Sequence, residues 1–247
     1  MSSAPLFSDR ADAGEQLAQS LLTPINQLLA AGVLAPPIVY ALPRGGIPIG
    51  VRVAHLLNCP LDIVVAKKIT MAQNPELAIG AVTSEGHVLW ARQKFLGQKN
   101  AEVRAIAQAQ AQEKAQDQLS QLSMGCPGVS PQGALALLVD DGIATGMTMA
   151  AATQALRAHN PAQIWICAPV APAGLMKWLS QWGDRLVILQ SPDPFLSVSR
   201  FYAKFPQVET KEALVYLQQH NQSLLRSITR PPTLLGGGSQ SDEAELS

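Results

Sequence analysis

Two adjacent carboxylates, Asp140 and Asp141, close an apolar run, Leu137-Leu138-Val139, in a chain of 247 residues. They are followed by Gly142-Ile143-Ala144-Thr145-Gly146-Met147-Thr148. A strand this apolar is expected to be buried on both faces, where paired carboxylates are costly unless something uses them. In open α/β sheets the carboxyl ends of the strands are where ligands bind. The residues that follow are expected to open a helix, whose first N–H groups lack partners and carry partial positive charge, a ready anion site. Gly142 and Gly146 let the backbone curl and approach an anion without a Cβ in the way, and Thr145 and Thr148 add hydroxyl donors. A vicinal diol would donate to the carboxylate pair while a phosphate occupied the loop. Those are the two ends of a ribose 5-phosphate. An Asp N-cap beside a tight glycine turn would account for one Asp and one Gly, but not for both of each and two threonines.

Such a loop needs a sheet to hold it. Pro37 to Leu42 reads as a buried strand that stops at Pro43-Arg44-Gly45-Gly46, and Ile47 to Leu57 follows as a helix with Pro48 tolerated in its first turn. Leu61 to Ala66 reads as a second strand ending on Lys67-Lys68, which makes a βαβ unit with parallel strands and a right-handed crossover. Arg44-Gly45-Gly46 alone is a weak signal, as much a turn as a site, and Lys67 and Lys68 alone could be solvated lysines. Ala134 to Val139 is the central strand, followed by the acidic loop and a helix to His159; Ile164–Val170 and Leu186–Leu189 add strands. Helical spacing of Leu17, Leu21, Leu22, Ile25, Leu28 and Leu29 predicts a lead-in helix over Asp12–Ala31. Asn74-Pro75 reads as a turn, and Ile79–Val82 and Val88–Trp90 as a β pair turning at Glu85-Gly86. Asn100 to Leu122, rich in Ala, Gln and Glu, reads as a solvated helix, and Glu209 to Gln219 as the last one. From Thr229 onward the Pro, Gly and Ser content is too polar to order itself, so 229–247 is expected to be a disordered tail.

Composition narrows the possibilities. Apolar residues make up 47% and aromatics only 5%, a profile that suits Ala/Val/Leu-rich parallel strands covered by helices. Eighteen basic residues balance eighteen acidic ones, so no global charge draws the chain to nucleic acid or to a membrane. The first thirty residues have no apolar signal-peptide core. Cys59, Cys126 and Cys167 are odd in number and lack ligand spacing, which fits packing roles in a reducing cytoplasm. No Gly-x-x-x-x-Gly-Lys-Ser/Thr, Gly-x-Gly-x-x-Gly or Gly-x-Ser-x-Gly motif occurs, and His55, His87, His159 and His220 are scattered, read as helix-end or surface residues.

The apolar triplet, acidic pair, small residue, two variable positions, Thr-Gly, one residue and Thr resemble the 5-phosphoribosyl-1-pyrophosphate signature of type I phosphoribosyltransferases at every defined position. Phe7–Leu17, Asn74–Gly80 and Phe195–Phe205 are similar to a bacterial branch of stand-alone domains, extending the resemblance from Phe7 to Leu217. The resemblance implies that Asp140 and Asp141 hold the ribose hydroxyls and that the loop Gly142, Ile143, Ala144, Thr145, Gly146 holds the 5-phosphate, with Thr148 close by. Arg44 and Gly45 would hold the pyrophosphate, beside a non-proline cis peptide near Pro43–Arg44, and Lys67 and Lys68 would face it from the second strand. Arg44, Lys68 and Asp141 are then the candidate catalytic residues. Mg²⁺ is implied as the cofactor, carried on ligand oxygens and water rather than on a dedicated protein site. The implied fold is α/β, a mainly parallel sheet of about five strands flanked by helices. It would form one domain over 1–228 with a small hood from 1–34 and 195–219. The implied reaction is transfer of the phosphoribosyl group to a nitrogen nucleophile, a nucleobase by class, with release of pyrophosphate; residues after Lys68 would form a lid. A homodimer is expected. A regulatory protein that binds 5-phosphoribosyl-1-pyrophosphate without catalysis, or an enzyme acting on another phosphorylated sugar, stays open. One position departs: where 6-oxopurine-using members carry an acid, this chain has Ala144, which leaves ligand binding intact and puts that acceptor class in doubt.

Overall fold

The apolar runs assemble into a five-stranded, wholly parallel sheet in a computed structural model that describes residues 5–32, 35–71, 74–91 and 101–229. Its strands are β1 (Pro37–Ala41), β2 (Leu61–Ile63), β6 (Leu135–Val139), β7 (Gln163–Val170) and β8 (Arg185–Gln190), in the order β2-β1-β6-β7-β8. Every residue of β6 is buried, as expected for a central strand with helices on both faces. The period of two sorts the side chains into layers. Val39, Leu135, Leu137, Val139, Trp165 and Cys167 meet Leu17 and Leu21 of α1 (Arg10–Ala30) and Ile47 and Val53 of α2 (Gly46–Leu57). Ile38, Tyr40, Ala136, Leu138, Ile164 and Ile166 meet Met149, Ala152 and Leu156 of α4 (Met147–Ala158).

A second, antiparallel sheet contains β3 (Ala66–Met71), β4 (Asn74–Thr83) and β5 (Val88–Trp90), in that order. Two sequence expectations are corrected here. The strand expected over Leu61–Ala66 ends at Ile63, and Ala66 instead starts β3, so Lys67 and Lys68 lie inside an antiparallel strand rather than after a parallel one. Asn74, expected in a turn, begins β4 and pairs with Met71. The cause is packing: Ile69, Ile79 and Val82 form a separate apolar cluster with Ala111 of α3 (Ala101–Leu122), and that burial pulls the segment away from the main sheet. The lid expected after Lys68 coincides with this β3–β4 hairpin.

Of the stretches expected to build a hood, α1 packs into the main core, while Phe7 forms a bridge to Tyr202. The last helix, α6 (Thr210–Thr229), continues ten residues past its expected end, and the rest of the expected tail lies outside the described residues. It is held there by inward polar residues. Asn221 accepts from the Leu61 amide at 3.2 Å and donates to the carbonyls of Leu61 at 2.8 Å and Gly125 at 2.9 Å. His220, expected at the surface, is buried with Nε2 2.9 Å from the Cys59 carbonyl. Asn221→Leu should therefore cost roughly 1–3 kcal/mol, since it leaves buried backbone groups unpaired, and denaturant titration should show an earlier midpoint with unchanged slope. Among the described residues, no helix is long and apolar enough to cross a membrane.

Candidate functional site

The connections after β1 and β6 leave the sheet on opposite sides. The α2 helix packs on one face and α4 on the other, although β1 and β6 are hydrogen-bonded neighbours. That arrangement opens a crevice at the carboxyl ends of the two strands, the usual place for a ligand in an open α/β sheet. The two motifs read from the sequence, Pro43–Gly46 and Asp140–Thr148, are the loops that line it.

They touch. The Leu42 amide donates to the Val139 carbonyl at 2.8 Å, which extends the β1–β6 pairing to the start of both loops. The Pro43–Arg44 peptide is cis, as the resemblance implied. Gly45 lies directly on Asp141: a Cβ there would fall 2.6 Å from Asp141 Cγ, so only glycine admits the carboxylate. Arg44 donates to Thr210 Oγ1 at 3.1 Å and lies 3.8 Å from Glu209, which leaves most of its guanidinium donors unused.

The acidic pair is half-buried and locally braced. Asp140 Oδ1 accepts from the Asp141 amide at 2.8 Å. Asp141 Oδ2 accepts from Arg10 Nε at 2.8 Å, and the Asp141 carbonyl accepts from the Tyr202 hydroxyl at 2.6 Å. Burial, and then the neighbouring Asp141 charge, push the Asp140 carboxyl well above the ordinary carboxylate range. Burial also raises Asp141, against the opposing pull of Arg10. Two carboxylates kept close at such a cost are a mark of a site built to receive something that donates to them.

The following loop divides its expected residues. Gly146 has φ of +73° and caps α4, and a Cβ there would lie 2.6 Å from Trp178 Cζ3, so it meets both demands that only glycine satisfies. Ala144 and Thr145 are exposed at the loop tip, and Thr148 is half-buried in the first turn of α4. Gly142 is buried beside Val170 and Val198. Ile143 is a correction: it is 2% exposed in the core, and its amide donates to the Val170 carbonyl at 2.9 Å. It anchors the loop and has no free donor for a ligand.

The lysines separate too. Lys67 is half-buried and shares a groove of about 370 Å³ with Arg44, Lys114, Asp117, Gln118, Gln121 and Thr210. Burial, then the charges of Arg44 and Lys114, lower its pKa from the ordinary lysine value. Lys68 is exposed and, by the alternation of β3, points to the other face, so it does not line this groove. Among the residues that assemble here, Arg10 and Lys114 were not expected from the sequence, and Tyr202, within the stretch expected as hood, was not expected against the acidic pair. The only signals were indirect: an arginine at the start of an amphipathic helix, and a tyrosine in an aromatic-rich stretch.

Comparison with known proteins agrees with this geometry. A family model described as the phosphoribosyl transferase domain matches residues 12–178. Two Mycobacterium tuberculosis proteins, from strains CDC 1551 and H37Rv and provisionally named phosphoribosyl transferases, are each 34% identical over 216 residues. The aligned stretch is 87% of this chain but 47% of theirs, so the chain spans about half the length of these relatives. The crystal structure of TT1426 from Thermus thermophilus superposes with a TM-score of 0.69 at 28% identity, covering 86% of this chain and 98% of that one. The matched span contains both loops of the crevice and all of the acidic pair, and on that footing the chain belongs to the phosphoribosyl transferase domain family.

Proposed function

We propose that the β1–β6 crevice binds 5-phosphoribosyl-1-pyrophosphate and that the chain transfers its phosphoribosyl group to a nitrogen nucleophile, a nucleobase by class. The observation that carries this reading is the contact between the two loops: Gly45 lies on Asp141, so the cationic and acidic halves of the site share one wall. Asp140 and Asp141 would accept hydrogen bonds from the ribose hydroxyls. The loop tip and the first turn of α4 would take the 5-phosphate. Arg44 and Lys67 would take the pyrophosphate. In the reaction the nucleophile's lone pair forms a bond to the ribose anomeric carbon as the bond to pyrophosphate breaks. The electron pair leaves with the pyrophosphate, and the nucleophile sheds its proton. Charge therefore builds on the leaving group, where fixed cations count for most.

Mg²⁺ suits this site as a companion of the ligand. Among the described residues no three His, Cys, Asp or Glu side chains are grouped to hold a metal ion. The ion would ride on oxygens of the diphosphate and of water, while Asp140 and Asp141 would hold the ribose of the ligand that carries it. Bound there, Mg²⁺ would offset leaving-group charge.

The test is pyrophosphate release from 5-phosphoribosyl-1-pyrophosphate across a panel of nucleobases. Base-dependent release supports the transferase; tight binding with no release under any base supports a regulatory binding protein instead. That second reading draws on the loop Gly142–Gly146, which contains no titratable side chain to assist an acceptor. The lysines supply a sharper check. Lys67→Gln should weaken inorganic pyrophosphate binding by about tenfold or more, the worth of one charge-assisted hydrogen bond, while Lys68→Gln changes it little. Calorimetric titration of both variants decides it, and a larger loss for Lys68→Gln would reverse the assignment.

A further inference from the structure

We propose that Arg10 is a positioning residue for the ribose end of this site, holding the Asp141 carboxylate in place to accept a sugar hydroxyl and tying it to the segment that overhangs the crevice. The inference rests on the reading of the site as a binder of 5-phosphoribosyl-1-pyrophosphate. Arg10 is 9% exposed and is fixed from three directions. Its Nε donates to Asp141 Oδ2 at 2.8 Å, its Nη1 donates to the Pro206 carbonyl at 2.6 Å, and its guanidinium lies 3.7 Å from the centre of the Phe205 ring. Taking a guanidinium out of water is costly, and the cost is offset only where its charge and donors are matched, as they are here. Only one carboxylate oxygen is used. Arg10 engages Oδ2 alone, so Oδ1 is the oxygen that would turn to a ligand hydroxyl.

The overhanging segment is part of the same unit. The Phe7 amide donates to the Phe201 carbonyl at 2.9 Å, and the Ala203 and Lys204 amides donate to the Phe7 and Ser8 carbonyls at 2.8 and 2.9 Å. Asp9 then caps α1, accepting from the Ala11 and Asp12 amides at 2.9 and 3.0 Å, and so sets the backbone from which Arg10 reaches inward. Tyr202 completes the link through its bond to the Asp141 carbonyl. Arg10, Tyr202 and Phe205 all lie outside the residues matched by the family model.

The charged groups facing Asp141 are Arg10 from α1, Asp140 from its own loop and the Tyr202 phenol from the overhang. Of these, Arg10 favours the ionised carboxylate most strongly, with a smaller contribution from a hydrogen bond to Asp140. Without it Asp141 would hold its proton to higher pH and would lose its fixed orientation.

The test uses the full chain and calorimetric titration with ribose 5-phosphate, its 2-deoxy and 3-deoxy analogues and inorganic pyrophosphate. The wild type is expected to discriminate against the analogue lacking the hydroxyl that Asp141 holds. Arg10→Gln is expected to lose about tenfold in ribose 5-phosphate affinity at neutral pH, with that discrimination collapsing and pyrophosphate affinity unchanged. The loss should shrink as pH is raised, and Arg10→Lys should retain part of the discrimination. Equal losses for every ligand, or undiminished discrimination in Arg10→Gln, would overturn the role. If Arg10→Gln does not fold, Phe205→Leu removes the ring beneath the guanidinium and should shift the same ratio in the same direction. A wild type that binds neither ribose 5-phosphate nor pyrophosphate overturns the parent reading as well, whereas a discriminating wild type beside an equally discriminating variant overturns only the part played by Arg10.

Discussion

Given at about a hundred times its dissociation constant, 5-phosphoribosyl-1-pyrophosphate with Mg²⁺ should raise the melting temperature by roughly 5–10 °C, and Asp140→Asn with Asp141→Asn should abolish the shift. A ligand bound only to the folded state at that excess stabilises it by about 2.7 kcal/mol, and a chain of this size gains about 2–4 °C per kcal/mol. The double substitution removes both negative charges and turns one acceptor oxygen of each side chain into a donor, while preserving side-chain shape. An unchanged shift would sink the ribose assignment. The ligand-free Asp140→Asn variant should be more stable than the unmodified chain. Burial raises the Asp140 carboxyl above its unfolded value, so the folded state binds the extra proton. The resulting penalty is absent below the ordinary carboxylate pKa and grows as pH rises through the raised one. At neutral pH Asp140→Asn therefore relieves a cost, and its melting temperature should rise.

Sequence carried the centre of this molecule better than its edges, for reasons particular residues show. Leu135–Val139 is apolar at every position, and a strand buried on both faces has few alternatives; the acidic pair and glycines that follow could then be placed on its carboxyl end. The β3 strand was hidden because Lys67, Lys68 and Thr70 interrupt the apolar alternation around Ile69. Its register depends on β4 and α3, which the local sequence does not reveal. The second half of α6 was hidden by polar residues, since Asn221 and His220 look solvated until the backbone groups they satisfy are brought close. Arg10 was the hardest to find. It lies 131 residues from Asp141, and a charged side chain in the first turn of a helix is ordinarily a solvated one. Motifs contiguous in the chain were legible; partnerships made by tertiary packing were not.

The acceptor should follow from what the Gly142–Gly146 loop lacks. Ala144 is exposed at the loop tip, and neither it nor its neighbours from Gly142 to Gly146 can exchange a proton. General acid–base assistance is typically worth about a hundredfold to ten-thousandfold in rate. A 6-oxopurine attacks through a ring nitrogen whose reactivity depends on moving a proton within the ring system, so it loses most when that assistance is missing. Hypoxanthine and guanine are therefore expected to turn over at least about a hundredfold more slowly than a base whose attacking nitrogen needs little help. The aromatic overhang does not by itself select a base. Phe205 is engaged by Arg10 and lies 4.8 Å from Tyr202, centre to centre, while Phe201 pairs with Phe195 at 5.2 Å, so these rings are already committed to packing. Steady-state rates of pyrophosphate release with adenine, hypoxanthine, guanine, uracil and orotate, compared as kcat/KM, provide the measurement. Efficient use of hypoxanthine or guanine by the unmodified chain would show that a residue outside Gly142–Gly146 supplies the proton. If one base is used well and the two 6-oxopurines poorly, Ala144→Asp should narrow the gap, because it places a carboxyl at the exposed tip without disturbing the inward anchor at Ile143.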